Sequence, residues 1–245
     1  MEVIRLNEIR NPVISVIIPT YNEEKYLKYT LLSIKNQDFD LPYEIIIGDS
    51  KSEDRTIEIA KEFADKIAII EKRNIGAGRN AGAKISKGKY LVFIDADTIA
   101  APNLLSEFYN TFLNDNIVGV TCPIVPLPPT VSNLLMYTTF NYFCKFTIYK
   151  KPQLPGIICA YRRDAFFEVG GFNEELHVCE DFDLSERIAK LGKIVYNEKT
   201  FVMTSARRIE KWGKGKSAAK YIGIYISYLL RNRLKRIPFS YEPIR

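Results

Sequence analysis

Histidine is nearly missing from this 245-residue chain: His177 stands alone, and that excludes a zinc site built from several imidazoles. Cysteine is sparse. Cys122, Cys144, Cys159 and Cys179 show neither CxxC nor Cys/His metal spacing, so they read as reduced, mostly buried thiols of a cytoplasmic protein. No P-loop pattern occurs, which argues against a P-loop kinase or ATPase. The stretch Met1–Asn11 is charged and has no apolar segment of the kind a signal peptide needs. Ser132–Tyr149 is apolar and aromatic, but it is too short and too polar for a bilayer span of about 20 residues. Glutamine occurs only at Gln37 and Gln153, while Ile, Lys and Glu are plentiful, a bias associated with heat-adapted proteins. Internal repeats and low-complexity tracts are absent.

What is present suits one large domain with an extension. Hydrophobic residues make up 47% of the chain and charged ones 26%, a globular balance that excludes wholesale disorder. The net charge is +6, and much of the excess lies between Arg207 and Arg245. Such a block suits phosphate-rich ligands or an anionic membrane surface, and is as often a solvated face. Nothing in the pattern points to nucleic acid.

The first hundred residues alternate strand and helix. Ile14–Pro19, Tyr43–Gly48, Lys66–Ile70 and Tyr90–Ile94 are short apolar runs rich in branched residues, the signature of buried strands. Asn22 offers a helix N-cap with Glu23 and Glu24 after it. Further helices are expected from Ser52 and over Gly78–Lys87. This alternation predicts an α/β fold with a mostly parallel, Rossmann-like sheet covered by helices on both sides. The second half is less regular. Pro123, Pro126, Pro128 and Pro129 break the chain after a strand near Val118–Cys122. A strand is expected at Ile157–Tyr161, a helix at Glu180–Leu191, a short strand at Ile194–Asn197, and a basic helix at Lys216–Arg236. The expected division is a catalytic domain over 1–206, with a nucleotide-binding half at about 12–98 and an acceptor half at about 99–206, then a helical extension over 207–245.

In open parallel sheets, ligands bind beyond the carboxyl ends of the strands. Four polar clusters fall there: Thr20–Glu23, Asp49–Ser50, Arg73–Asn74 and Asp95–Asp97. In Asp95-Ala96-Asp97 the two acids point the same way in an extended chain and repel unless a cation lies between them. Oxygen ligands beside an anionic substrate suit Mg²⁺ or Mn²⁺. A lone Asp-x-Asp is more often a solvated turn; at the end of a buried strand, beside three other polar clusters, the site is the better reading. Glu180-Asp181-Phe182-Asp183 opens a helix, where carboxylates favour the dipole; Asp181 there could also take a proton from a hydroxyl. Gly76–Ala81 matches the dinucleotide fingerprint G-x-G-x-x-A. However, it follows the third predicted strand, across the polar residues Glu71–Asn74, so a nicotinamide or flavin site is disfavoured. It reads better as a loop with Arg73 and Arg79 facing a nucleotide near a helix start. His177 reads as a loop or packing residue.

The run Ile14–Glu23 closely resembles the opening of family 2 glycosyltransferases with the GT-A fold. The resemblance continues in order through Tyr43–Asp49, Arg73-Asn74, Gly88–Asp97, Gly170–Asn173 and Glu180-Asp181, and reaches Trp212. It implies a metal-dependent, inverting enzyme moving a sugar from a nucleotide diphosphate, UDP favoured over GDP, to a hydroxyl of a glycan or lipid-linked acceptor. It also implies roles. Pro19, Thr20, Tyr21, Asn22, Glu23, Asp49, Arg73, Arg79, Asn80, Asp95 and Ala96 would lie at the nucleotide. Asp97 with Asp95 would hold the metal, and Asp181 would be the base. Glu180, Arg207, Arg208 and Trp212 would meet acceptor or diphosphate. Two departures stand out: Gly48-Asp49-Ser50 carries one acid where relatives often have two, and Arg208–Trp212 lacks the Gln of the motif in processive synthases. A nucleotidyltransferase usually opens with a glycine-rich loop, which Pro19–Asn22 is not. A catalytically inactive binding protein is the other alternative, and the intact Asp95, Asp97 and Asp181 argue against it. The apolar segments 132–149 and 216–236 could pack on the core, form a homodimer contact, or lie on the cytoplasmic face of a membrane.

Overall fold

The structure is a computed structural model and describes residues 1–148 and 150–231. The strands in chain order are β1 (Glu2–Arg5), β2 (Ile14–Thr20), β3 (Tyr43–Asp49), β4 (Lys66–Ile69), β5 (Tyr90–Ile94), β6 (Thr98–Ala100), β7 (Ile117–Thr121), β8 (Ile124–Leu127), β9 (Ile158–Arg162), β10 (Lys193–Tyr196) and β11 (Val202–Ser205). The helices are α1 (Leu27–Lys35), α2 (Thr56–Phe63), α3 (Ile75–Ile85), α4 (Leu104–Phe112), α5 (Val131–Thr147), α6 (Arg163–Glu168), α7 (Glu180–Ile188), α8 (Arg207–Trp212) and α9 (Lys214–Arg231).

Strands β2, β3 and β5 are buried almost throughout, which is why their sequences run apolar without alternation. Successive residues still serve opposite faces. Ile14, Val16, Ile18, Ile45, Ile47, Val92 and Ile94 join one core with Leu27, Leu31 and Phe108 from α1 and α4. Ile17, Ile46, Leu91 and Phe93 join the other, with Phe166, Leu184 and Ile188 from α6 and α7. The main sheet has the order β1-β4-β3-β2-β5-β9-β7-β10. Strands β4, β3, β2 and β5 are parallel, and β9 runs antiparallel between β5 and β7. A second sheet, β6-β11-β8, stands beside it.

Several expectations are corrected here. Asn22 does not cap α1, which starts five residues later after a turn in which Leu27 N–H reaches Glu23 O. Asn22 instead has φ 54° and accepts from Glu53 N–H at 2.8 Å. The proline-rich stretch is not simply a break, because it contains β8, an edge strand with Pro126 opposite Thr204. An edge tolerates proline because the missing N–H faces away from the ladder. The expected helix 216–236 is α9 as far as Arg231; its remainder lies outside the described residues. Segment 132–149 is α5, with residue 149 outside them. Among the described residues no helix is long and apolar enough to cross a membrane. All four cysteines are free and buried.

Gly48 and Gly78 let α3 sit directly on β3. A Cβ on Gly48 would lie 2.0 Å from Gly78 O, so no other residue fits without moving the helix off the sheet. This contact brings the start of α3 to the carboxyl end of the strands, where the polar clusters gather.

Candidate active site

Register pairing places Thr20 opposite Asp49 at the ends of β2 and β3. Thr20 Oγ1 donates to Asp49 Oδ2 at 2.6 Å, and Asp49 also accepts from Ser52 N–H at 2.8 Å and Ser52 Oγ at 2.6 Å. A fully buried carboxylate needs such partners, so Asp49 frames the floor of this edge. Pro19 lies against Gly78, where an added Cβ would meet it at 3.5 Å. At the rim, exposed Arg73 pairs with Glu53 at 2.6 Å and lies over the Tyr21 ring at 4.7 Å. Asn74 caps α3 by accepting from Ala77 N–H at 3.0 Å. The G-x-G-x-x-A sequence is therefore the first turns of a helix, not a tight strand-to-helix turn.

Arg79 and Asn80, expected near the nucleotide, are both buried. Asn80 is buried, and its amide clasps the Phe172 backbone, accepting from its N–H at 2.9 Å and donating to its C=O at 2.9 Å. Arg79 is 1% exposed. It donates to Asp95 Oδ1 at 2.9 Å, to Glu180 Oε1 at 2.8 Å and to Gly156 O at 2.7 Å. Burial opposes its charge, but Asp95 and Glu180 outweigh burial and keep it protonated. The Gly156 N–H in turn donates to Asp181 Oδ2 at 2.6 Å. One guanidinium thus ties the acid at the end of β5 to the acids at the start of α7. A Cβ on Gly156 would lie 2.7 Å from Arg79 Nη2, so a larger residue there would displace the guanidinium. Removing one partner of a buried pair leaves uncompensated charge. Arg79→Met should therefore lower unfolding free energy by about 3–5 kcal/mol, measured by urea denaturation; a loss within about 0.5 kcal/mol, the scale of a surface substitution, would contradict this role.

Asp97 lies past the end of β5, and Ala96 between the two acids is buried, its carbonyl accepting from Thr30 Oγ1 at 2.8 Å. Arg207, at the start of α8, donates to both Glu23 oxygens at 2.8 and 2.9 Å, and its Nε stands 3.0 Å from Asp97 Oδ2. Its guanidinium also stacks on Tyr26 at 4.6 Å. Burial pushes the Asp97 carboxyl up; Arg207 opposes this, Asp95 and Glu23 add to it, and the result is about 6. Asp181 is raised further, to about 7, by burial and then by Glu180, against Arg79 and the N–H groups of Gly156 and Phe182. Both raised carboxyls lie at the same sheet edge.

The structure thus brings together the ends of β2, β3 and β5 with α7 and α8. Arg208 lies near Trp212, its guanidinium 5.8 Å from the ring, and Trp212 also meets Tyr221 and Lys220. His177 is exposed on the loop before α7. Sequence reasoning missed Gly156 and Tyr26. The Gly156 N–H contact with Asp181 depends on the fold. Tyr26 carries no motif signal.

Among the described residues no group of three or more His, Cys, Asp or Glu is placed to hold a metal by itself. Asp95 and Asp97 still fit a hard divalent cation. Both offer oxygen, and Mg²⁺-type sites use one or two carboxylates and take other ligands from phosphate and water. A guanidinium already stands against Asp97, so this position accepts positive charge.

The glycosyl transferase family 2 description matches residues 15–170. An uncharacterized glycosyltransferase of Methanocaldococcus jannaschii is 38% identical over 122 residues, which is 47% of this chain and 42% of that protein. The mannosyltransferase PcManGT from Pyrobaculum calidifontis, solved in complex with GDP-Man and Mn²⁺, shares the fold at TM-score 0.69 and 20% identity, over 91% of this chain and 65% of that one. S. aureus TarS 1-349 in complex with UDP does so at 0.62 and 20%, over 87% and 65%. The GT-A fold expected from the sequence is the fold the chain has. The chain spans 42% of the length of its archaeal relative. The family match covers more than half of the sequence, and the chain belongs to glycosyl transferase family 2.

Proposed function

We propose that the chain transfers a sugar from a nucleotide-diphosphate donor to an acceptor hydroxyl, with inversion at the anomeric carbon. The observation that carries this reading is the chain of contacts Asp95–Arg79–Gly156–Asp181, which holds Asp95 and Asp181 at one sheet edge. The solved structures that share the fold hold GDP-Man with Mn²⁺ and UDP, which supports a sugar nucleotide, UDP favoured and GDP an alternative.

Asp181 takes the proton from the acceptor hydroxyl as that oxygen bonds to the anomeric carbon. The bond from this carbon to the diphosphate oxygen breaks with its electron pair leaving on the diphosphate. Glu180 is committed to Arg79 and positions α7. Asp49, Thr20 and Asn22 shape the floor for the base, with Tyr21 and Arg73 at the rim. Asp97 and Asp95 would hold Mg²⁺ or Mn²⁺, which supplies positive charge to the departing diphosphate when bound. Arg207, with Arg208 beside it, supplies charge from the protein side.

Calorimetric titration of UDP and GDP with and without Mn²⁺ tests the donor site. Metal-dependent micromolar binding of one nucleotide is expected. Binding of neither would remove the donor assignment.

A further inference from the structure

Helices α5 and α9 turn uncharged outer faces to solvent. On α5, Val131 is 86% exposed, Leu135 70%, Tyr142 68% and Phe146 69%. Their spacing puts them on one side of the helix, and the other residues exposed on that side, Leu134, Thr138 and Thr139, are also uncharged. On α9, Ala219, Ile222 and Ile226 form a matching stripe, with Ile222 60% exposed. The inner faces are used: Tyr137 and Phe140 of α5 pack on the main core, and Ile224 and Tyr228 of α9 pack on Val178, Cys179 and Phe182. The helices meet where the Phe143 and Tyr225 rings lie 5.0 Å apart.

The charge beside α9 is mostly basic, with Glu198, paired to Lys145 of α5 at 2.7 Å, and Glu186, which accepts from Tyr228, the acids near it. No Asp or Glu occurs between Lys211 and Arg231, a stretch that carries Lys211, Lys214, Lys216, Lys220 and Arg231. Lys220 stands over Trp212, which also meets Tyr221, a grouping of cation and amphipathic rings suited to a lipid–water boundary. A symmetric dimer through the same face would set this basic border against its own copy. An anionic bilayer matches both features: the apolar strip enters the acyl boundary while the lysines meet headgroup phosphates.

We propose that the outer faces of α5 and α9 form a docking surface for an anionic lipid bilayer. The surface adjoins the site, because α9 rests on Phe182, next to Asp181, and follows directly on α8, which carries Arg207. The proposal stands whether or not the donor assignment holds.

Flotation of the full chain with phosphatidylcholine vesicles, with and without phosphatidylglycerol, tests it. At low salt the protein should float with the anionic vesicles, and roughly tenfold less with neutral ones or at high salt. Phe146→Asp and Ile226→Asp should each lower that binding roughly tenfold with the thermal midpoint unchanged, since both side chains are exposed. No flotation with anionic vesicles would overturn the proposal. Unchanged flotation of both variants would overturn it too, by leaving lysines alone as the cause. A lipid-free dimer in sedimentation, abolished by Ile226→Asp, would assign the face to a second copy instead.

Discussion

Asp181→Asn should lower kcat by roughly 10²–10⁴-fold and leave nucleotide affinity unchanged. Asparagine keeps the size of the side chain and an oxygen for the Gly156 N–H, but it cannot accept a proton from a hydroxyl. The neighbouring acids cannot replace it. Glu180 is buried and bound to Arg79, and Asp183 is bound to Arg187. The pH dependence gives a separate check. Burial, then Glu180, raises the Asp181 carboxyl to about 7, against Arg79 and two backbone N–H groups. The working form of a base is the deprotonated one. In the parent protein kcat should therefore fall as pH drops through about 7 and level off above it. Asp181→Asn should lack this acid limb. A variant with full kcat, or one that keeps the limb, would assign the proton transfer to another group.

The candidate site was legible in the sequence where polar residues coincide with a strand end. Thr20, Asp49, Asp95 and Asp97 sit at the carboxyl ends of apolar runs, and a parallel sheet has to gather them. Asp181 was legible as the opening of a helix with a family motif around it. Burial was not legible. Arg79 follows two glycines in a pattern that reads as a phosphate loop, yet the Gly48–Gly78 contact draws it into the interior, where it links acids 16 and 101 positions away. Asn80 is likewise taken up by the Phe172 backbone. In the second half, β6, β8 and β11 are three or four residues long, too short for alternation to register, and they are held by one another. Helix α4 did carry a signal, since Leu104, Leu105, Phe108 and Phe112 share a buried face.

Asp97→Asn should abolish metal-dependent nucleotide binding, and Arg207→Gln should divide metal affinity from nucleotide affinity. Asp97, Asp95 and Glu23 put three carboxyls near one another. Burial and the two neighbouring acids push the Asp97 carboxyl up to about 6 despite Arg207. Such a cluster attracts a cation, and Arg207 supplies one by binding Glu23 through two nitrogens and Asp97 through the third. A divalent ion at Asp97 must compete with this guanidinium. A departing diphosphate, by contrast, would draw Arg207 toward itself. Arg207→Gln removes the competitor and the phosphate ligand together. Mn²⁺ alone should then bind roughly tenfold more tightly, and UDP or GDP with saturating Mn²⁺ roughly tenfold more weakly, about 1.4 kcal/mol each way. Asp97→Asn removes the anionic oxygen both cations need, so it should weaken Mn²⁺ whether nucleotide is present or not. Manganese paramagnetic resonance reads free Mn²⁺ directly, and calorimetry reads the nucleotide. If Arg207→Gln weakened Mn²⁺ and nucleotide alike, Arg207 would be a structural brace of the Glu23 turn, and the exchange of one cation for another would be ruled out.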